Sequence, residues 1–200
     1  LALILEAARE VFAESGLNAG VAEVARRAGV GNATIFRRFP QKEDLIAAVV
    51  ELVIRERIDE ERSQPPASSP GVALRGFMER MTEWQLRDRG LMECMPAGVR
   101  ADPRLAALRD ELSELSAGLV AAAQRSGEVR DDVGHEDVAV LGIAIGQIGA
   151  QFAGVEPELW RRYLAIVLDG LRPGGGELPG YSPGWATVCA GKARARHSGR

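Results

Sequence analysis

The sequence predicts an all-α protein. Apolar residues recur at steps of three and four along most of the chain, and no segment alternates convincingly with a period of two. The helix formers Ala, Leu, Arg and Glu dominate and aromatics are sparse. Two hundred residues allow one or two domains of ordinary size with a real core. A formal net charge of −3 exerts no global pull on a polyanion, so any such affinity has to be local. Cys94 and Cys189 lie far apart without CxxC spacing, which speaks against a zinc site or disulfide framework and fits a reducing cytoplasm. No secretory leader is visible, and an opening "LALILEAARE" without methionine points to a truncated chain.

The first helix places Leu1, Ile4, Leu5, Ala8 and Phe12 on one stripe and stops at Gly16. A second, short helix spans 21–28, with Val21, Val24, Ala25 and Ala28 on one face. A third spans 32–39. A fourth starts near Gln41, after Pro40, carries Leu45, Ile46, Val49, Leu52 and Val53, and gives way to a Pro- and Ser-rich linker over about 62–71. Beyond it, a helix over 72–89 turns Leu74, Phe77, Met78, Met81, Trp84 and Gln85 inward. Asp102 and Pro103 then give an N-cap followed by proline, opening a helix with Leu105, Leu108, Leu112, Leu115 and Leu119 on its inner face. "GHED" starts the next helix, with Asp137 complementing its N-terminus. The last begins at Glu156 and Pro157 and puts Trp160, Tyr163, Leu164, Val167, Leu168 and Leu171 on one face. Seven glycines and three prolines over 173–200 predict a loosely attached tail.

The stretch "AGVGNATIFRRFPQKEDL" places a turn at Gly29, Val30 and Gly31 between two short helices, which is a helix-turn-helix arrangement. Val30, Ile35 and Phe39 share the face that buries, and Asn32, Thr34, Arg37 and Arg38 are left outward. Between Val24 and Lys42 there are five basic residues and no acid, whereas the rest of the first 62 residues holds four basic and eleven acidic ones. The positive charge is therefore sorted by position. A two-turn helix fits the DNA major groove, where Asn and Arg can pair with base edges, while Lys42 would lie over a phosphate.

Residues 4–50, "ILEAAREVFAESGLNAGVAEVARRAGVGNATIFRRFPQKEDLIAAVV", resemble the DNA-binding domain of TetR-type transcriptional repressors. The turn, the aromatic spacing and the lysine followed by an acid keep the family's intervals. "GLMECM", "DPRLAALRDEL", "GEVRDDV" and "WRRYLAIVLDGLRPG" are similar to an actinobacterial-looking subgroup of that family. The resemblance implies an N-terminal three-helix helix-turn-helix DNA-binding domain (1–45) joined by a long helix to a helical ligand-binding and dimerisation domain (46–172), with a flexible tail (173–200). It also implies a homodimer on double-stranded operator DNA, released when a small effector binds, with no cofactor. Carried over by position, DNA contacts fall on Asn32, Ala33, Thr34, Phe36, Arg37 and Arg38, with phosphate contacts at Lys42 and at the start of the second helix, Gly20. This chain has Gly20 where relatives usually carry a capping Thr, and Phe36 where they usually carry Tyr. Both changes lose a hydroxyl, so weaker phosphate anchoring is expected.

Gly142, Gly146, Gly149 and Ala153 recur at steps of four, three and four, leaving one helix side nearly bare for close approach. With Trp160, Leu164, Leu168 and Leu171 they are expected to form the dimer seam. Residues 138–155 carry no charge, but two glutamines and four glycines speak against a membrane span. The expected effector lining is Phe77, Met78, Met81, Trp84, Met92 and Met95, with Gln85, Gln147 and Gln151 as uncharged polar groups, which favours an apolar or neutral effector. No nucleophile–base constellation has its partners, and "DDVGHED" reads as a cap with solvated charge, so neither enzyme nor metal is expected. The competing reading is a helical ligand-binding or adaptor protein of the same fold without DNA binding.

Overall fold

The computed structural model describes residues 1–16, 18–88, 102–184 and 187. Regular structure among them is helical: α1 (Ala2–Ser15), α2 (Val21–Ala28), α3 (Asn32–Arg38), α4 (Lys42–Arg62), α5 (Pro70–Arg87), α6 (Pro103–Arg125), α7 (His135–Phe152) and α8 (Leu159–Gly170). The chain divides into two compact units. One comprises Leu1–Gln64 with Arg87–Leu112, the other Pro65–Leu86 with Ser113–Arg200. All of α4 thus groups with the N-terminal helices.

In the first unit, α1 packs on α2 and α4, and α2 on α3. The buried face of α1 is Ile4, Ala7, Ala8, Val11 and Phe12, and Leu1, expected inside, is exposed. Leu45, Ile46, Val49, Val50, Val53, Ile54 and Ile58 of α4 complete this core. Glycine is required at two positions. Gly16 (φ 69°) ends α1, and Gly29 (φ 67°) ends α2 in the left-handed region that L side chains adopt at a cost. There the Val30 N–H donates to the Ala25 carbonyl at 3.0 Å and the Gly29 N–H to Arg26 at 3.3 Å, the hydrogen-bond pattern of a Schellman stop. At the α4 start the Asp44 carboxylate accepts the Gln41 N–H at 3.0 Å.

A long-range ion pair fastens this unit. Arg9 of α1 donates from Nε and Nη2 to both oxygens of Asp88, each at 3.1 Å, and from Nη1 to Glu56 of α4 at 2.8 Å. Asp88 directly follows α5, and its side chain is only 2% exposed. Such a carboxylate is tolerable because a bidentate guanidinium occupies both its oxygens.

In the second unit, the Glu128 carboxylate receives the Ser69 hydroxyl at 2.7 Å, the Ser126 hydroxyl at 2.8 Å and the Gly71 N–H at 3.2 Å. These donors hold its pKa below the usual carboxylate value, the Ser69 hydroxyl contributing most. They place a negative charge at the N-terminus of α5. Asp137 here, and Asp102 in the first unit, act as read from the sequence, accepting the Gly134 N–H at 2.9 Å and the Arg104 N–H at 2.8 Å. The inner face of α6 departs from expectation. Leu105 and Leu108 are buried, but farther along Ser116, Val120 and Ala123 are the buried residues while Leu115 and Leu119 lie at the margin. A ladder of period 3.5 drifts only about 20° per heptad on a helix of period 3.6; the larger reason is that α6 belongs to the first unit as far as Leu112 and to the second from Ser113, so its two halves bury within different cores.

The glycine side of α7 is also placed differently. Gly142, Gly146 and Gly149 are buried within the chain. A Cβ at Gly146 would meet the Gln85 side chain of α5, and one at Gly149 would lie 2.9 Å from Leu86 Cδ2 and 3.3 Å from Trp160 Cβ. Trp160, Leu164, Leu168 and Leu171 are likewise buried. The bare backbone therefore admits α5 and α8 of the same chain, and seven of the eight residues assigned to the dimer seam are used up inside one subunit; Ala153 alone stays exposed. The tail is not loose at its start: the Arg130 N–H bonds to the Leu171 carbonyl at 2.9 Å, its guanidinium donates to Gly176, and the Leu178 N–H donates to Asp132 at 3.2 Å. Among the described residues no helix is long and apolar enough to cross a membrane.

Two stability tests follow from this packing. Gly149→Val should cost about 1–3 kcal/mol by overpacking, whereas Gly142→Ala, whose new Cβ stays 4.0 Å from Gln85, should be neutral or stabilise by up to about 1 kcal/mol through its higher helix propensity. In denaturant melts, Arg9→Ala should cost about 2–4 kcal/mol, because it strips the buried Asp88 of its bidentate partner and leaves it the longer Arg87 Nε contact at 3.4 Å, and Glu56→Ala, which removes a half-exposed partner, at most about 1 kcal/mol.

Candidate nucleic-acid interface and effector core

The seven residues of α3 split cleanly by side. Ile35 is fully buried and Phe39, just past the helix, is 8% exposed. On the other side Asn32, Ala33, Phe36, Arg37 and Arg38 are exposed and Thr34 is half-buried. Asn32 with Phe36, and Ala33 with Arg37, are related by one turn, so the four form a single outward face. Phe36 is 48% exposed, which takes its ring out of the core and sets it among the polar residues. Lys42, the first residue of α4, is half-buried, and Gly20 is exposed in extended conformation before α2.

Ion pairing narrows the positive charge further than counting did. Arg26 is held by Glu23 of its own helix at 2.5 Å. Arg27 reaches across to α1, bonding Glu14 at 2.7 Å and Glu10 at 3.1 Å. Both guanidinium pKa values are pushed up, chiefly by hydrogen bonds to Glu23 and Glu14 respectively, and the two carboxylates are held below their ordinary value. Among the described residues Arg37, Arg38 and Lys42 have no acidic partner. Their donors remain open to an anion from outside; Arg37 belongs to the outward face with Asn32, Ala33 and Phe36, and Arg38 and Lys42 follow it in the chain. No spacing in the sequence announces that Glu10 and Glu14 neutralise Arg27, because the pair forms across two helices.

Of the expected effector lining, Phe77, Met78 and Trp84 are buried in the second unit and Met81 is half-buried. Gln85 lies over Gly146. Met92 and Met95 fall outside the described residues. Gln147 and Gln151 are exposed, on the side of α7 opposite its glycines, and so do not face their own core. The Thr82 hydroxyl donates to the Met78 carbonyl at 2.9 Å. By contrast, the Trp84 indole N–H and the Ser116 hydroxyl are buried without a hydrogen-bond partner. Ser116 was hidden in the sequence because it stands beside the leucine ladder, not on it. Thr82 and Ser116 are the buried polar side chains described in this unit, and neither is charged. Among the described residues no group of three or more His, Cys, Asp or Glu side chains is placed to hold a metal; His135 pairs with Glu136, and Asp137 caps α7.

Comparison with known proteins agrees with this arrangement. A family model for bacterial regulatory proteins of the tetR family matches residues 4–49, and one for the C-terminal domain of SbtR-like transcriptional regulators matches residues 69–173. The HTH-type transcriptional repressor KstR of Rhodococcus jostii is 31% identical over 131 residues, 64% of this chain. The alignment spans 61% of that relative's length. Among solved structures, a TetR transcription regulatory protein from Mycobacterium vanbaalenii is 34% identical, with 86% of this chain and 93% of that one covered and a TM-score of 0.63. A TetR transcriptional regulator from Streptomyces coelicolor is 30% identical, with 87% and 99% covered and a TM-score of 0.64. With family models covering both its helix-turn-helix and most of its second unit, the chain belongs to the TetR family of bacterial transcriptional regulators.

Proposed function

We propose that the protein is a repressor that binds operator DNA as a homodimer and leaves it when a small neutral effector binds, with no catalytic activity of its own. The observation that carries this reading is the outward face of α3, where Asn32, Arg37 and Arg38, with Lys42 next to it, are exposed or half-exposed and unpaired by acids. In the major groove Asn32 and Arg37 read base edges, and Arg38 and Lys42 hold phosphates. Two such helices in a dimer match half-sites about one helical turn apart, roughly 34–36 Å.

The dimer seam moves to the other side of α7 and α8. Val140, Ala144, Gln147 and Gln151 form a stripe there, and α8 adds Tyr163 at 41% and Ile166 at 56% exposure. Exposed apolar side chains interleaved with uncharged amides, on two helices that pack together, fit an isologous contact. For the effector, the fully buried polar side chains of this unit, Thr82 and Ser116, are uncharged, which favours a neutral apolar molecule over an ion beside Phe77, Met78 and Trp84. The unpartnered Trp84 N–H and Ser116 hydroxyl favour one that carries a hydrogen-bond acceptor. Transmission to DNA runs through α4, which starts at Lys42, and through the Arg9–Asp88 pair, which ties α1 to the chain two residues past the Leu86 boundary of the effector unit. The effector releases DNA only to the extent that it binds one arrangement more tightly than the other.

The direct test is a salt-titrated binding assay on the DNA upstream of the protein's own gene. Log-linear loss with salt is expected, and no binding at low salt overturns the proposal. In that assay Arg37→Ala should weaken binding about fivefold or more, Lys42→Ala should lower the salt slope by about one unit, and Arg27→Ala should leave affinity within about twofold. For the seam, Ile166→Glu should give folded monomers by sizing chromatography, whereas a dimer that persists places the interface elsewhere.

A further inference from the structure

Phe36 is the large apolar side chain exposed on α3, at the position where the family resemblance implies a Tyr with a phosphate-binding hydroxyl. Its ring has no hydrogen-bonding group, so it anchors nothing on the backbone. Nor does it stand alone, since Ala33, three residues earlier, is exposed beside it and Asn32 and Arg37 flank the pair. The result is an apolar spot of a ring and a methyl group set between two base-reading side chains. In the major groove, the apolar feature that such a spot meets is the C5 methyl group of a pyrimidine.

We propose that Phe36 is a specificity-determining residue that reads the C5 methyl of a thymine in each half-site. The inference rests on the DNA-binding reading above. Asn32, one turn before Phe36, favours thymine over 5-methylcytosine as the source of that methyl: its amide pairs with the N6 and N7 edge of adenine, so an A·T-rich step serves both side chains at once. The missing phenolic hydroxyl is then an exchange of a phosphate contact, which carries no sequence information, for a base contact that does.

The test is a uracil-interference footprint on the duplex upstream of the gene, in which thymines are replaced one at a time by deoxyuridine, removing only the methyl group. For the wild-type protein, one thymine per half-site should be sensitive, with a loss of roughly fourfold per methyl. Phe36→Ala should bind more weakly and lose that sensitivity, and Phe36→Tyr should keep it. A melting curve for Phe36→Ala close to wild type confirms that the exposed position does not support the fold. Uracil sensitivity that is absent at every thymine, or unchanged in Phe36→Ala, overturns the assignment. Affinity that rises on cytosine C5 methylation without uracil sensitivity overturns the choice of thymine. Absence of binding to the unsubstituted duplex at low salt overturns the DNA-binding reading itself, and this assignment with it.

Discussion

A helix of seven residues has no stability of its own in water, because nucleation fixes several residues before the first hydrogen bonds return anything. The recognition surface of this protein therefore depends on the burial of Ile35 and Phe39 against the first unit's core. That burial fixes the rotation of α3 and so selects which side chains face out. Gly29 sets the direction of entry, since only a residue at ease with φ near 67° lets α2 stop and α3 begin within three residues. Asn32, Phe36 and Arg37 are presented by a core they do not belong to.

The same core has to hold charges in order. Eleven acids surround nine bases in the first 62 residues, and the structure disposes of most of them locally or across helices. Arg27 is neutralised by Glu10 and Glu14, Arg26 by Glu23, and Arg9 by Asp88 and Glu56. What is left unpaired at the exposed end of α3 is a small, directional positive patch on an acidic protein. A global charge of −3 limits non-specific attraction to polyanions while the patch retains it where bases can be read.

Close packing in the second unit follows a different logic. Glycines on α7 let Gln85, Leu86 and Trp160 approach its backbone, so the helix spends its smallest side on partners within the chain. Its opposite side, with α8, keeps Val140, Tyr163 and Ile166 exposed. A bare stripe in a sequence says that something comes close and leaves open what it is. The leucine ladder of α6 shows a related ambiguity, since its spacing does not say that the helix passes from the first unit to the second. Ser116 enters the core, and Leu115 and Leu119 lie at its margin, in the part of α6 that belongs to the second unit.

Helix positions, the two-helix turn, the Asp102 and Asp137 caps and the exposure of Asn32, Arg37 and Arg38 on α3 were readable from the sequence alone. Each rests on interactions within about four residues, where periodicity, glycine and capping chemistry speak directly. The tertiary structure alone decided the rest. It settled that Phe36 is outside the core, that Arg27 is already paired, that Gly142, Gly146 and Gly149 serve α5 and α8 of their own chain, and that Asp88 clasps Arg9 from 79 positions away. Partners so distant in sequence leave no local pattern, and the face a helix buries is chosen by the neighbours that fold onto it.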